Sequence, residues 1–101
     1  MLNKSDAEES ALRVVRAEFG LAVGDNSIVI LEEHTLESPL AWYFVYNTKS
    51  CVESGDPMLG LIGNGPIVVP KDGSMPEIFS SGYSVSQVKL RYETGQQSSD
   101  E

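Results

Sequence analysis

The sequence predicts an α+β fold, in which an N-terminal amphipathic helix packs on an antiparallel sheet of about four strands and a short C-terminal helix closes the domain. Three observations carry this reading. Apolar residues recur at helical spacing from Ser5 to Phe19, and the pattern then changes to extended β-branched and aromatic runs. Most of those runs are joined by turn clusters too short to hold a crossover helix, so neighbouring strands should run antiparallel. The 101 residues suit one domain, expected over residues 1–93, with an acidic tail over 94–101 expected to be disordered.

The elements follow in order. Along the first helix, Ala7, Ala11, Leu12, Val14, Val15 and Phe19 fall on one face and Asp6, Glu9, Arg13 and Arg16 on the other. Ser5 and Glu8 have the form of a capping box, and Asp6, Glu8 and Glu9 complement the positive end of the helix dipole. Glu9 and Arg13 stand one turn apart as a surface pair, and Gly20 is expected to end the helix. The turn cluster Gly24-Asp25-Asn26 leads to a first strand over Ser27 to Leu31.

Glu37-Ser38-Pro39 breaks the chain before a second strand, Leu40 to Tyr46, which places Trp42, Phe44 and Tyr46 on one side and Tyr43 and Val45 on the other. With both sides apolar, the strand belongs away from the sheet edge, or has one face under the helix and the other under a loop or partner. Trp42 and Phe44 are expected to pack on Leu12, Val15 and Phe19. Asn47 to Pro57 reads as a connection. Leu59 to Gly63 and Ile67 to Val69 read as strand, with a bulge or bend at Gly63 to Pro66. Lys71-Asp72-Gly73-Ser74 is a tight turn from which Glu77 to Ser80 pairs back. Ser84 and Gln87 repeat the capping-box form and open a short helix from Val85 to about Tyr92.

Composition narrows the function. Seven Lys and Arg against fifteen Asp and Glu give a net charge of -8, which disfavours nucleic acid and anionic membranes and matches a basic protein surface. One cysteine, Cys51, and one histidine, His34, exclude an internal disulfide and a structural zinc site. No cofactor, metal or small-molecule substrate is expected. The first residues lack the apolar core of a secretory signal, and no stretch approaches the ~20 apolar residues of a membrane span. A cytoplasmic location is expected.

No catalytic constellation emerges. A Cys51/His34 nucleophile pair would need the fold to bring the two together, against the alternative of an ordinary thiol and an exposed loop histidine. Glu32 and Glu33 are adjacent, so on a strand they would point to opposite faces as a solvated acidic edge rather than act as an acid/base pair. Gly60-x-x-Gly63-x-Gly65 leads into the extended run Ile67-Val68-Val69, whereas a phosphate loop leads into a helix. The chain is therefore expected not to be an enzyme.

Two features point to a protein partner. Tyr43 faces away from the other strand aromatics and, if exposed, is a candidate interface anchor. Residues 21–66 contain one basic and six acidic residues, a net of -5 within the total of -8. Of these acids, Glu32, Glu33, Glu37, Glu53 and Asp56 lie in or beside strand ends and loops, where binding residues commonly sit. They are either a complementary face for a basic partner or a solubilising surface.

The order and spacing of Trp42-Tyr43-Phe44-Val45-Tyr46, Gly55-Asp56, Leu61-Ile62-Gly63-Asn64-Gly65-Pro66-Ile67-Val68-Val69 and Lys71-Asp72-Gly73 resemble the YrhB-like family, also called immunity protein 35. The resemblance spans roughly residues 5–93 and departs from the family in the Ser-rich segment Gly82 to Ser86. It implies a small non-enzymatic bacterial protein, encoded beside a polymorphic toxin, that binds and neutralises that toxin. The name-giving member has been regarded as chaperone-like, so the alternative is a holdase with broad client binding.

Overall fold

A computed structural model describes residues 1–23, 28–56, 64–80 and 82–97. Helix α1 spans Lys4–Val23. Asn3 starts it: its side-chain oxygen accepts the Asp6 N–H at 2.8 Å, and its carbonyl accepts the Ala7 N–H at 2.9 Å. Ser5 therefore lies inside the first turn, and the expected Ser5/Glu8 box is replaced by an Asn cap. Gly20 does not end the helix, because Leu21 and Ala22, both strong helix formers, carry it onward. Ion pairs among the described residues join Lys4 to Glu32, Lys71 to Glu37 and Lys89 to Glu93, and the expected Glu9–Arg13 pair is not one of them.

The strands form two antiparallel sheets. β1 (Ile28–Ile30) pairs with β4 (Tyr46–Thr48). β2 (Leu36–Glu37), β3 (Ala41–Phe44), β5 (Asn64–Pro70) and β6 (Glu77–Ser80) make a four-stranded sheet in the order β2-β3-β5-β6. The aromatic strand expected as one piece divides at Val45, whose carbonyl accepts the Leu31 N–H at 2.8 Å, and its two halves serve different sheets. Trp42, Tyr43 and Phe44 pair with Val69, Val68 and Ile67 in the sheet interior.

The expected irregularity before Ile67 is present as a register shift between the pairs Asn64↔Ser80 and Ile67↔Ile78. Gly65 permits it. A Cβ there would stand 2.0 Å from the Phe79 carbonyl oxygen and 2.2 Å from that of Ser80, so the two backbones meet where only glycine fits. The strand expected over Leu59 to Gly63 lies outside the described residues.

Three elements replace what the sequence suggested was irregular or extended. A 3₁₀ turn takes Glu32–His34, β2 forms at the presumed break, and α2 (Lys49–Ser54) forms inside the presumed connection. Thr48 caps α2 by accepting the Cys51 N–H at 3.1 Å. Gly55, at φ 73°, closes it. In the turn after β5, the Asp72 carboxylate accepts the Ser74 N–H at 2.9 Å and its hydroxyl at 2.6 Å, and Gly73 adopts φ 89°. Asp72 is held below the ordinary carboxylate range by these two hydrogen bonds, the hydroxyl contributing more.

Helix α3 spans Val85–Gln97. Its capping box forms as read, with the Ser84 N–H donating to the Gln87 side chain at 2.9 Å and the Gln87 N–H to the Ser84 hydroxyl at 3.2 Å. The helix runs beyond Tyr92, aided by the Lys89–Glu93 pair at 3.1 Å, and takes in residues 94–97 of the expected tail. Residues 98–101 lie outside the described residues.

The four-stranded sheet is covered on both faces. Ala7, Ala11 and Val15 of α1 pack with Ile28, Phe44, Tyr46, Ile67 and Val69, and Leu12, Phe19 and Trp42 border this core. Alternate strand residues Ala41, Tyr43 and Val68 face the other way, onto Val88 with Val85 and Tyr92 of α3. Tyr43 does point away from α1, as its strand position requires, but α3 covers it completely. It is therefore a core residue rather than an exposed anchor.

Candidate functional site

The acids read from the sequence fall into two groups. The register Ile30↔Tyr46 puts the 3₁₀ turn and β2 beyond one end of the β1–β4 ladder, and Ile28↔Thr48 puts α2 beyond the other. Glu32, Glu33 and Glu37 thus lie at one end, and Glu53 and Asp56 at the other, all exposed. Tyr43 belongs to neither group: its ring lies edge-on to Tyr92 at 6.1 Å, and its hydroxyl bonds Ser38 Oγ at 2.8 Å.

Two of the acids already have cations. Glu32 accepts from Lys4 Nζ at 2.6 Å. Glu37 is paired with Lys71 Nζ, which also lies 5.1 Å from the centre of the Trp42 ring. Glu32 has a second neighbour in Glu8, whose Oε2 is buried and receives no hydrogen bond from a donor. Interaction with the Glu32 carboxyl, then burial, holds Glu8 above the ordinary carboxyl range. Glu8 and then Lys4 hold Glu32 below it. The end bearing Glu32, Glu33 and Glu37 is therefore partly neutralised, with Glu33 its acid outside any ion pair among the described residues.

A groove that the sequence did not reveal runs between α1 and β6. It has a volume of about 660 Å³ and is lined by Val14, Glu18 and Phe19 of α1 and by Pro76 to Ser80. β6 ends the sheet order among the described residues, so its outer side is a sheet edge there. Val14, Phe19 and Ile78, all half-buried, give the groove apolar surface, and the exposed Glu18 and Glu77 give it negative charge. No basic residue lines it among the described residues. The available signal was the four-residue run Glu77 to Ser80 last in a sheet, an edge by topology, but its juxtaposition with Glu18 depends on how α1 crosses the sheet.

Cys51 is half-buried on α2 and His34 is exposed in the 3₁₀ turn. They lie beyond opposite ends of the β1–β4 ladder, so the fold does not make a pair of them. Among the described residues no cluster of three or more His, Cys, Asp or Glu is arranged to hold a metal ion, and no helix is long and apolar enough to cross a membrane.

The family model for immunity protein 35 matches residues 6–93. The chain belongs to the immunity protein 35 family. No curated protein and no solved structure matches it. The immunity protein 35 match runs from the first turn of α1 to the middle of α3, so it takes in both helices that cover the sheet, both acidic ends and the α1–β6 groove. The resemblance read from the aromatic strand and the Gly63-Asn64-Gly65-Pro66 segment is confirmed at the family level.

Proposed function

We propose that this immunity protein 35 chain neutralises a cognate bacterial toxin by stoichiometric protein–protein binding, without turnover, in the cytoplasm of the cell it protects. The family match over residues 6–93 is the observation that carries the reading. The fold suits it: a sheet buried on both faces is preorganised, so little ordering entropy opposes association. The partner is a polymorphic toxin with a basic face, steered by Glu32, Glu33 and Glu37 at one end of the molecule and by Glu53 and Asp56 at the other. A holdase with a broad apolar client-binding patch is the alternative.

Co-expression with the toxin encoded beside it tests the proposal. Cells should survive, and the two chains should co-elute as one complex of fixed stoichiometry. Cell death despite soluble expression would refute neutralisation. Equal protection of an unrelated aggregating client would favour the holdase.

A further inference from the structure

We propose that the groove between α1 and β6 receives an extended segment of the toxin bearing Lys or Arg, which adds to the sheet as a strand beside β6. This rests on the toxin-binding reading and names the place and chemistry of one contact.

The first support is topological. Among the described residues β6 pairs with β5 on one side only, and an edge strand offers backbone donors and acceptors that an extended chain satisfies by β-augmentation. The second is the lining. Ile78 turns toward the α1 core and Phe79 toward the α3 core, where its ring meets Tyr83 at 6.0 Å. An added strand would continue this alternation, setting every second side chain against Val14 and Phe19.

Charge selects the occupant. Among the described residues, Glu18 and Glu77 are the charged residues of the lining, and neither is in an ion pair. A second copy of this chain adding through its own β6 would bring its Glu18 and Glu77 to the same groove and set like charges together. A cationic segment meets both carboxylates instead. Glu32 and Glu37, by contrast, already face Lys4 and Lys71. The groove is thus an acidic surface whose two carboxylates meet no cation among the described residues, and it has the concavity to hold a partner.

The test has two arms. In the first, ¹⁵N-labelled chain is titrated with a ten-residue peptide of alternating Lys and Val, and separately with its Glu and Val counterpart. The basic peptide should shift the amides of residues 77–80 and 14–19 and lose affinity with added salt, and the acidic one should not bind. Shifts centred on Glu32 to Glu37 or on Glu53 to Asp56, or no binding, would overturn the proposal. In the second arm, Glu18→Lys with Glu77→Lys should weaken toxin binding at least about tenfold with an unchanged melting temperature, and Glu18→Gln with Glu77→Gln should weaken it less. Wild-type affinity in the charge-reversed chain, with neutralisation intact, would sink the groove and leave the toxin-binding reading standing. Peptide binding by a chain that binds no toxin would overturn the toxin as occupant.

Discussion

At the scale of single residues, polar groups in and beside the core decide more than the exposed acids do. Ser38 Oγ bonds the Tyr43 hydroxyl and also accepts the N–H groups of Leu40 and Ala41 at 3.2 and 3.3 Å, so one serine shapes the turn into β3 and satisfies a buried phenol. Burial raises the Tyr43 pKa more than the Ser38 hydrogen bond lowers it, which keeps the phenol neutral. Tyr43→Phe should cost about 1 kcal/mol in urea unfolding and leave toxin affinity unchanged, whereas Tyr43→Ala should cost roughly 3–5 kcal/mol by opening a cavity under α3. Lost affinity in Tyr43→Phe at full stability would return Tyr43 to the interface. The Glu8–Glu32 pair makes stability depend on pH with a definite sign. Glu32, lowered on folding, adds stability that is present above the ordinary value of 4.5 and lost as pH falls through its lowered value. Glu8, raised on folding, holds a proton that the unfolded chain releases above 4.5, so its contribution is lost as pH rises toward its raised value. Glu8→Gln keeps a neutral group beside Glu32 at every pH. It should therefore be more stable than wild type at pH 7 and lack the decline above pH 4.5, as read from urea midpoints across pH.

At the scale of elements, β5 and β6 approach each other closely at Gly65. Gly65→Ala places a methyl group against the Phe79 and Ser80 carbonyls, and relief requires β6 to move. The substitution should destabilise by on the order of 1–3 kcal/mol and abolish the amide shifts that the basic peptide produces in residues 77–80. A stable Gly65→Ala chain with those shifts intact would mean that the bulge does not position the edge. What was legible in sequence follows the same division between local and distant causes. The Ser84/Gln87 box is complete within four residues, so pattern and structure agree. Ser5/Glu8 has the same pattern, but Asn3 caps the helix and Glu32, far along the chain, engages Glu8. The cap Thr48-x-x-Cys51 and β2 were missed because neither shows apolar periodicity: α2 is six residues with none buried, and β2 exists through its pairing with Tyr43 and Trp42. The direction of Tyr43 followed from strand alternation alone, but its cover depended on which face α3 would choose. The groove needed two elements distant in sequence, and no local signal joins Glu18 to Glu77.

At the scale of the whole molecule, seven of the fifteen acids behind the charge of -8 lie at two ends and one groove, and these places have different physical consequences. Exposed acids at the ends act over about a Debye length and are screened by salt, so their effect falls on encounter. Glu18 and Glu77 would act at contact beside a strand hydrogen-bonded to β6, so their effect falls on dissociation. The toxin complex should therefore show separable kinetics. Charge reversal of Glu33 with Glu53 and Asp56 should slow association several-fold and leave dissociation nearly unchanged. Glu18→Lys with Glu77→Lys should speed dissociation more than it slows association. Raising ionic strength from about 0.05 M to 0.5 M should slow wild-type association and largely erase the difference made by the end substitutions, while the groove substitutions keep most of their effect. Stopped-flow binding at the two salt concentrations checks all three. An association rate that is indifferent to salt and to the end substitutions would make the end acids a solubility feature. A dissociation rate indifferent to Glu18 and Glu77 would move the contact off β6, because a strand bonded to that edge cannot avoid them.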